Sequence, residues 1–541
     1  MCHSPGSHKH DALKTNVKTV KFPWSVREEV RVTGYLWSED RMVGGADLAG
    51  FIGNQTACYE RFSEWFGKQN GQFSAIVEQN GEIWLGCSHT WSYPLFYLQK
   101  GDVLAVTDDP EHLLPAIDKP VADRETRNYF LNFGVTPAGY TIVPDLMQVR
   151  PGETVLLKGG SSQHTLSPIH TFSGTRNGTS EELARLIREE FGKYAGFLKD
   201  KEILLPLTRG YDSRLLACLL KEFGLTKVTC ATWGRPANRE SPTARRVAET
   251  LGFPHIFIPY STDSFHRDAK EEMFDDYIGY AGHYSSMPFL QDYFAIRHLL
   301  REGVIHAGTA VLPGHPGDFI RGAHLFPSLP GKDDISLANA IISAFGNSYP
   351  ATHRERDLLR KTITREFPEK NTAKTALQKF DLWDYEERQC KLIGNSSLVY
   401  DFFKISHLSP LFDKNIMGRF LQLPFGQRLG CSLYYETLTT QFFSPHGLDF
   451  DLRPAYTKPA GRPAVIETLI KLVPRFLKKI YYPLDDDVFY REFTGELMRS
   501  SQKLHYRHPL KPHFYNCYLT QWYLAKVESR LKNNPGADFH D

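Results

Sequence analysis

Short hydrophobic runs, separated by Gly, Asn and Asp, dominate the chain from about residue 30 to about residue 170. Runs of this length between turn residues predict β-strands. Residues 73–78, 83–87 and 103–107 are examples, and residues 153–157 follow a Pro-Gly turn. The pattern therefore predicts a β-rich N-terminal region. The polar, histidine-rich residues before it, 1–27, are predicted to form a flexible tail.

The hydrophobic pattern changes after about residue 176. Thr179-Ser180-Glu181-Glu182 is typical of a capping box and predicts a helix to about residue 197. Strands and helices are then predicted to alternate, with strands at 203–207, 227–232, 255–259 and 304–307 and helices at 213–222, 241–250 and 285–303. This alternation predicts a parallel sheet with helices on both faces. Residues 333–450 are predicted to be mostly helical.

The composition is that of a globular protein, with 541 residues of which 41% are hydrophobic and 23% charged. This length predicts about two or three domains. The net charge of +2 gives no electrostatic reason to expect nucleic acid or a membrane as a partner. Eight cysteines without a C-x-x-C pair predict neither a zinc nor a redox site. Because no signal peptide and no transmembrane run are visible, we expect a cytoplasmic protein.

A glycine-containing turn joins a predicted strand to a predicted helix within residues 204–214. Backbone N–H groups in such a turn, together with the helix N-terminus, bind anions. Thr208 and Ser213 add hydroxyl donors, Gly210 allows close approach of a phosphate, and Asp212 supplies a carboxylate for phosphate-bound Mg²⁺. The alternative is an ordinary strand-to-helix turn with no ligand.

A second glycine-rich segment, residues 313–322, follows the last predicted strand. Gly314 lets the backbone approach a ligand closely, and Asp318 would lie at the C-terminal edge of the parallel sheet, where such folds bind ligands. Asp212 and Asp318 together could hold one Mg²⁺ on a triphosphate. Between the two loops, the predicted strand that begins at residue 227 ends near Thr232 and Gly234. An ATP site would take its adenine contacts at this position.

These loops and several further segments resemble the asparagine synthetase family, in particular its divergent asparagine synthetase-related proteins. Residues 208–213 resemble the family's pyrophosphate loop, and residues 313–322 its Gly-x-Gly-x-Asp loop. The later Pro-Phe-Leu-Asp, Leu-Pro and Arg landmarks of the family resemble Ser409-Pro410-Leu411-Phe412-Asp413, Leu423-Pro424 and Arg428. Landmarks of a class II glutamine amidotransferase domain are similar to Asn70–Phe73, Pro94–Tyr97, Tyr140–Ile142 and Pro151-Gly152.

The resemblance implies a combined α/β and α+β fold. A β-rich, Ntn-hydrolase-like sandwich is followed by a parallel-sheet synthetase domain of the adenine nucleotide α-hydrolase-like (PP-loop) kind, an N-type ATP pyrophosphatase. The predicted segments are a tail at 1–27, an amidotransferase-like domain at 28–175, a synthetase domain at 176–455 and a helical C-terminal extension at 456–541. Within the extension, residues 464–480 have apolar positions at helical spacing among basic residues. They predict a helix packed on the synthetase domain, with contact to an anionic membrane as the weaker alternative.

The N-terminal half departs from the family pattern. Its glutaminase needs an N-terminal cysteine nucleophile, and the matching strand, residues 30–35, contains none. We therefore predict that this domain no longer hydrolyses glutamine. Cys2 is the alternative nucleophile, although the tail separates it from that strand.

The synthetase half departs from the pattern as well. Arg209 replaces a loop glycine and is predicted either to clamp a phosphate or to obstruct the site. His315 replaces an acidic or tyrosyl residue and is predicted either to act as a general base or to order its loop. The family's lysine near the pyrophosphate has no match, so Lys404 or Lys414 would have to replace it.

The resemblance implies an ATP-dependent amide-forming ligase. It would adenylate a small-molecule carboxylate, release pyrophosphate and transfer nitrogen, with ATP and Mg²⁺ as cofactors. The nitrogen would come from free ammonia, a separate glutaminase or the substrate's own amine. The alternatives are a complete glutamine-hydrolysing asparagine synthase that uses Cys2, and a nucleotide-binding pseudoenzyme or scaffold.

Overall fold

A computed structural model describes residues 14–54, 57–100, 103–118, 120–167, 176–236, 238, 240–346, 351–367, 375–452 and 515–533. Its strands are β1 Lys14–Lys18, β2 Ser25–Arg27, β3 Val30–Ser38, β4 Arg41–Gly44, β5 Gly71–Gln79, β6 Glu82–Cys87, β7 Phe96–Lys100, β8 Val103–Thr107, β9 Leu146–Gln148, β10 Glu153–Lys158, β11 Ser161–Leu166, β12 Ile203–Pro206, β13 Val228–Gly234, β14 His255–Pro259, β15 Ala310–Val311 and β16 Ser406–His407.

The α-helices are α1 Gly45–Gly53, α2 Tyr59–Lys68, α3 Arg124–Phe133, α4 Ser180–Leu198, α5 Tyr211–Glu222, α6 Glu240–Leu251, α7 Thr262–Asp268, α8 Glu272–Gly282, α9 Gln291–Arg301, α10 Gly317–Ile320, α11 Asp334–Phe345, α12 His353–Arg365, α13 Ala376–Trp383, α14 Leu398–Phe402, α15 Lys414–Leu421, α16 Phe425–Arg428, α17 Ser432–Leu438 and α18 Tyr515–Asn533. A π-helical segment, Asp384–Ile393, continues α13.

The N-terminal half is a sandwich of two sheets. Sheet 1 has the antiparallel order β11-β10-β6-β5-β3-β2, with β4 beside β3, and sheet 2 has the order β1-β8-β7-β9. Successive side chains of a strand point to opposite faces of sheet 1. Ile76 lies on the inner face, in the hydrophobic cluster shared with sheet 2. Phe73 lies on the outer face and packs with α1 and α2. On the outer face of sheet 2, Phe96 packs with residues of α3. Helices therefore cover both outer faces of the sandwich, as the predicted fold class requires.

The predicted flexible tail is wrong for residues 14–27. Residues of β1 pair with β8 in parallel, and β2 pairs with β3. The buried carboxylate of Asp108 accepts hydrogen bonds from the backbone N–H groups of Val20, Lys21 and Phe22 and from Trp24 Nε1, at 2.8–3.0 Å. The polar sequence of residues 14–27 does not predict this structure, because β8 and Asp108, which bind part of it, lie about ninety residues away in the chain. Residues 1–13, which include Cys2, lie outside the described residues.

The synthetase half is built on sheet 3, which has the all-parallel order β14-β13-β12-β15-β16. The three N-terminal residues of β12 are buried, as is typical of a strand covered by helices on both faces. The predicted capping residue Thr179 accepts the Glu182 N–H at 3.3 Å at the start of α4. A mixed fold with mainly antiparallel sheets first and a parallel sheet afterwards is thus confirmed.

Two predicted elements differ in the structure. The strand predicted at 304–307 is absent there, and β15 is instead formed by Ala310 and Val311, which pair with β12 and β16. A strand of two residues has almost no hydrophobic periodicity, so the sequence pattern could not locate it. In the C-terminal extension, α18 confirms a helix at 515–533, whereas the amphipathic segment 464–480 lies outside the described residues. None of the described helices is long and apolar enough to cross a membrane.

Candidate functional site in the parallel-sheet domain

The first predicted loop lies at the C-terminal end of β12. It is closed by its own hydroxyl groups, because the Thr208 N–H donates to Ser213 Oγ at 3.1 Å and the Gly210 N–H donates to Thr208 Oγ1 at 3.0 Å. α5 begins at the next residue, Tyr211, so its N-terminus faces the loop. The loop therefore has the strand–turn–helix geometry that binds anions.

The second predicted loop approaches the first one closely. A Cβ atom added at Gly314 would lie 3.3 Å from the Ser213 backbone nitrogen, and one added at Gly317 would lie 2.0 Å from Asp212 Cγ. The Asp212 carboxylate also accepts a hydrogen bond from the Tyr434 hydroxyl at 2.7 Å. Glycine is required at Gly317 because Asp212 occupies the space that a side chain would fill. About a hundred residues of chain thus separate two loops that meet at Asp212.

A cleft of about 270 Å³ opens between these loops. The residues that line it come from β12, β13, α6, α9, α14 and both loops, and are Pro206, Leu207, Thr208, Gly210, Asp212, Ser213, Ala231, Thr232, Trp233, Glu240, Gln291, Asp292, Pro313, Gly314, His315 and Tyr400. Seven predicted site residues are among them: Thr208, Gly210, Asp212, Ser213, Thr232, Gly314 and His315. Three predicted residues are not among the described lining residues: Arg209, Gly234 and Asp318.

Arg209 is held away from the cleft lining by Glu240. The Arg209 backbone N–H donates to Glu240 Oε2 at 2.9 Å, and the guanidinium Nε lies 3.3 Å from Glu240 Oε1. The Glu240 carboxylate therefore accepts the backbone N–H of Arg209 and forms an ion pair with the guanidinium that was predicted to meet a phosphate. Gly234 is likewise engaged in the sheet, where its carbonyl accepts the Tyr260 N–H at 2.8 Å.

The second predicted metal ligand, Asp318, has a guanidinium partner. Its side chain is 62% exposed and forms an ion pair with Arg321, whose side chain is 15% exposed. Burial alone would lower the pKa of Arg321, but the carboxylates of Asp318 and Asp212 raise it above the usual value. Asp318 and Asp212 thus lie near one guanidinium. Within the described part of the chain, no group of three or more His, Cys, Asp or Glu residues is arranged to hold a metal ion.

His315 lines the cleft, and its Nε2 lies 3.2 Å from Ser396 Oγ. Burial lowers the pKa of His315 to about 4, although nearby Asp318 opposes this shift. The imidazole is therefore neutral at pH 7, which leaves it able to accept a proton but makes it a weak base.

The comparisons with known proteins follow this geometry. Residues 198–429 match the family model described as asparagine synthase, and the match includes both loops and all the described lining residues of the cleft. The match covers less than half of the chain, and this matched region is similar to an asparagine synthase domain. Asparagine synthases are ATP-dependent ligases, so this match supports a ligase and implies ATP. No curated protein matches the chain.

Two solved structures are similar in part. Glutamine phosphoribosylpyrophosphate amidotransferase from B. subtilis, complexed with ADP and GMP, is 10% identical over 54% of this chain and 56% of that chain, with a TM-score of 0.18. A structure described as the allosteric regulatory enzyme of purine biosynthesis has the same identity and coverages of 10%, 54% and 56%, with a TM-score of 0.19. The chain spans little more than half of either one, so the fold assignment rests on the three sheets described above.

The region that matches the asparagine synthase model also contains cleft residues that the sequence did not indicate. Trp233 is the last residue but one of β13 and donates from Nε1 to Asp292 Oδ1 on α9 at 3.2 Å. Burial raises the pKa of Asp292 to about 6. Glu240 and Tyr400 were missed as well, because neither belongs to a recognisable motif. The pair Trp233-Gly234 at a strand end was the only available signal.

We expect Asp292→Asn to stabilise the protein at neutral pH but not in acid. Because the folded pKa of about 6 exceeds the ordinary 3.8, protonated Asp292 stabilises the fold below about pH 4, and this contribution is lost as the pH rises through 6. Asn keeps an acceptor for the Trp233 N–H. The free energy of unfolding of the variant should therefore match that of wild type near pH 4 and exceed it by about 3 kcal/mol at pH 7. Melting temperatures of both proteins between about pH 4 and 8 measure it. A difference that does not vary with pH would contradict the expectation.

The two lysines considered as replacements, Lys404 and Lys414, are not among the described residues that line the cleft. Lys414 Nζ donates to the Gly67 carbonyl, and its backbone N–H donates to Asn70 Oδ1 at 3.0 Å, so this residue ties α15 to the N-terminal sandwich. Lys404 is exposed at the end of α14. The missing lysine therefore has no replacement among the described lining residues.

The described cysteines do not provide a glutaminase nucleophile. Burial raises the pKa of Cys87 and of Cys230 to about 12, that of Cys517 to about 11, and those of Cys218, Cys390 and Cys431 above the usual value. A thiol with a raised pKa is a poor nucleophile. Cys58 is half-buried at the start of α2, and Cys2 lies outside the described residues. The inactivity of the N-terminal domain stays a prediction.

Proposed function

We propose that this protein is an ATP-dependent amide-forming ligase. A substrate carboxylate oxygen bonds to the α-phosphorus of ATP while the bond to pyrophosphate breaks, which gives an acyl-adenylate. A nitrogen nucleophile then attacks the acyl carbon, loses a proton and expels AMP. The observation that supports this most strongly is the meeting of the two glycine loops at Asp212, at the C-terminal edge of a parallel sheet.

The cleft fits a nucleotide phosphate chain. Gly314 leaves room beside the Ser213 backbone nitrogen, and Gly317 lets the Asp212 carboxylate pack against the second loop. Thr208, Gly210 and Ser213 would hold the phosphates with N–H and hydroxyl groups, and the backbone near Thr232 would contact the base. Among these groups, those facing the phosphorus would stabilise the charge that develops during adenylation.

The fit to Mg²⁺ is weaker. Asp212 lines the cleft and would be a ligand for phosphate-bound Mg²⁺, which supplies charge neutralisation when bound. Asp318 is exposed and paired with Arg321, so the residues present do not form a ready two-carboxylate site. No step of the proposal is therefore assigned to the metal.

The charge of the cleft favours a substrate that carries an amine. Three carboxylates line it, those of Asp212, Glu240 and Asp292, and no Lys or Arg is among the described lining residues. An ammonium group would be attracted to this surface, which supports the substrate's own amine, or free ammonia, as the nitrogen source. Neutral His315 could accept the proton that the attacking nitrogen loses.

A nucleotide-binding pseudoenzyme is the second candidate. It is favoured by the contact of Glu240 with the Arg209 N–H and guanidinium, which leaves a carboxylate where a phosphate would bind. A complete asparagine synthase that uses Cys2 remains untested, since Cys2 lies outside the described residues.

Exchange of labelled pyrophosphate into ATP, with a panel of amino and sugar acids, tests the ligase. We expect exchange with at least one acid, and a fall of at least about a hundredfold in Asp212→Asn. Asp200→Asn, an exposed carboxylate at the end of α4, is the matched control and should match wild type. ATP binding by calorimetry without exchange for any acid would favour the pseudoenzyme. Equal exchange in Asp212→Asn and wild type would refute the proposed site.

A further inference from the structure

Three residues that line the cleft lie close together although they come from three elements. They are Trp233 of β13, Asp292 of α9 and Tyr400 of α14. Trp233 Nε1 donates to Asp292 Oδ1 at 3.2 Å. Burial, together with the nearby carboxylate of Asp292, raises the pKa of the Tyr400 hydroxyl well above its usual value. Two aromatic side chains therefore accompany one carboxylate in this part of the cleft.

One oxygen of Asp292 is available to a ligand. Oδ1 accepts the hydrogen bond from Trp233, whereas Oδ2 accepts none from the described residues. Oδ2 is not one of the fully buried polar atoms that lack a partner, so it is not sealed from solvent. Because Asp292 lines the cleft, a molecule in the cleft would meet this oxygen.

The other two carboxylates that line the cleft have different surroundings. Both oxygens of Glu240 contact Arg209. Asp212 packs against the second glycine loop and accepts a hydrogen bond from Tyr434, so it lies where the phosphates would bind. Asp292 is instead held by Trp233, the neighbour of Thr232 in β13, and the base was assigned to this strand.

The chemistry of Asp292 fits the base of ATP better than its phosphates. A carboxylate repels a triphosphate, whereas the exocyclic amino group of adenine can donate an N–H to it. Hydrogen bonds to an ionised acceptor are stronger than those between neutral groups. Aromatic side chains with one or a few polar groups among them are typical of sites that orient a flat, largely apolar ligand.

We infer that Asp292 selects the base of the nucleotide, because its Oδ2 accepts an N–H of the exocyclic amino group of adenine while Trp233 holds Oδ1. The inference rests on the proposed function, since it assumes a nucleoside triphosphate in the cleft. It goes further in assigning base specificity to a side chain of α9. A purine with an oxo group at the same position would direct an oxygen at the carboxylate and be disfavoured.

Calorimetry of the full chain with three nucleotides, each with Mg²⁺, tests the inference. The nucleotides are ATP, purine riboside triphosphate, which lacks the amino group, and inosine triphosphate, which has an oxygen in its place. Wild-type protein should bind ATP at least about tenfold more tightly than either of the others. No acid is added, so the result does not depend on which carboxylate the protein uses.

Asp292→Asn changes the polarity of this contact. The Asn oxygen keeps the Trp233 N–H, so the amide NH₂ replaces Oδ2 and donates a hydrogen bond instead of accepting one. The variant should therefore bind inosine triphosphate at least as tightly as ATP, and its expected stability at neutral pH allows the comparison. Asp292→Ala should bind ATP and purine riboside triphosphate within about threefold of each other. Asp276→Asn, which changes an exposed carboxylate of α8, is the control and should keep the wild-type preference.

Two outcomes would overturn the inference. One is equal affinity of the wild type for ATP and purine riboside triphosphate, which would leave Asp292 to another group such as the amine of the substrate. The other is a preference for ATP that persists in both Asp292 variants. Wild-type protein that binds none of the three nucleotides would instead refute the proposed function on which the inference rests.

Discussion

Gly317→Ala is expected to weaken ATP binding at least about tenfold while the protein stays folded. The added Cβ would lie 2.0–2.5 Å from the three terminal atoms of the Asp212 side chain. A side chain can rotate away, so the backbone is preserved, but Asp212 then loses its position and its hydrogen bond from Tyr434. The φ angle of Gly317 is not in the left-handed region, so the effect is purely steric. Calorimetry measures the loss of ATP affinity, and thermal unfolding shows whether the protein stays folded.

A double variant makes this expectation sharper. If Gly317→Ala acts only through Asp212, it should cause no further loss of ATP affinity in a protein that already carries Asp212→Ala. Such non-additivity is typical of coupled positions. Gly196→Ala is the control, because a Cβ there meets no atom within 4 Å in α4. That control should bind ATP normally and be slightly more stable. ATP affinity unchanged in Gly317→Ala would show that the two loops do not meet as described.

The second large effect concerns stability, and we expect Asp381→Asn to lower the free energy of unfolding by about 3–5 kcal/mol. Arg428 donates two hydrogen bonds to Asp381, both at 2.7 Å, and His324 Nε2 lies 2.8 Å from the same carboxylate. Both charged side chains are 1% exposed, so removal of one charge leaves the other buried and uncompensated. The shift in the denaturation midpoint measures the loss.

The pH dependence of this second effect has a defined sign. Burial alone would raise the pKa of Asp381, but Arg428 and His324 hold it below the usual value. The stabilisation is therefore complete above about pH 4 and is lost as the pH falls through the folded pKa, so the variant should be compared at pH 7. Glu64→Gln, which breaks the exposed Glu64–Lys68 pair, is the control and should leave the free energy of unfolding nearly unchanged. Similar losses in the two variants would contradict the expectation.

Local sequence was sufficient where neighbouring residues decide the structure. The run of buried residues in β12, the turn after it and the capping residue Thr179 all act within a few positions, and each was predictable. Most of the residues predicted to bind nucleotide lie around one cleft for the same reason, since the C-terminal ends of parallel strands share one edge.

Predictions failed where the partner lies far away in the chain. β1 is polar and forms a strand because it pairs with β8, and the Asp108 carboxylate binds the segment that follows it. Lys414 was considered for the cleft, but it binds the Gly67 carbonyl instead. In both cases the residue type was compatible with several environments, and packing selected one of them.

Local periodicity and turn chemistry predicted a β-rich region followed by a parallel sheet, and the two loops that carry Asp212 and Asp318. Which distant charges meet depended on the folding of the whole chain. Glu240 pairs with Arg209 across 31 residues and Arg428 with Asp381 across 47, and no motif specifies either pairing. Such pairs form only where packing brings two separate elements together, and that geometry is not a local property of the sequence.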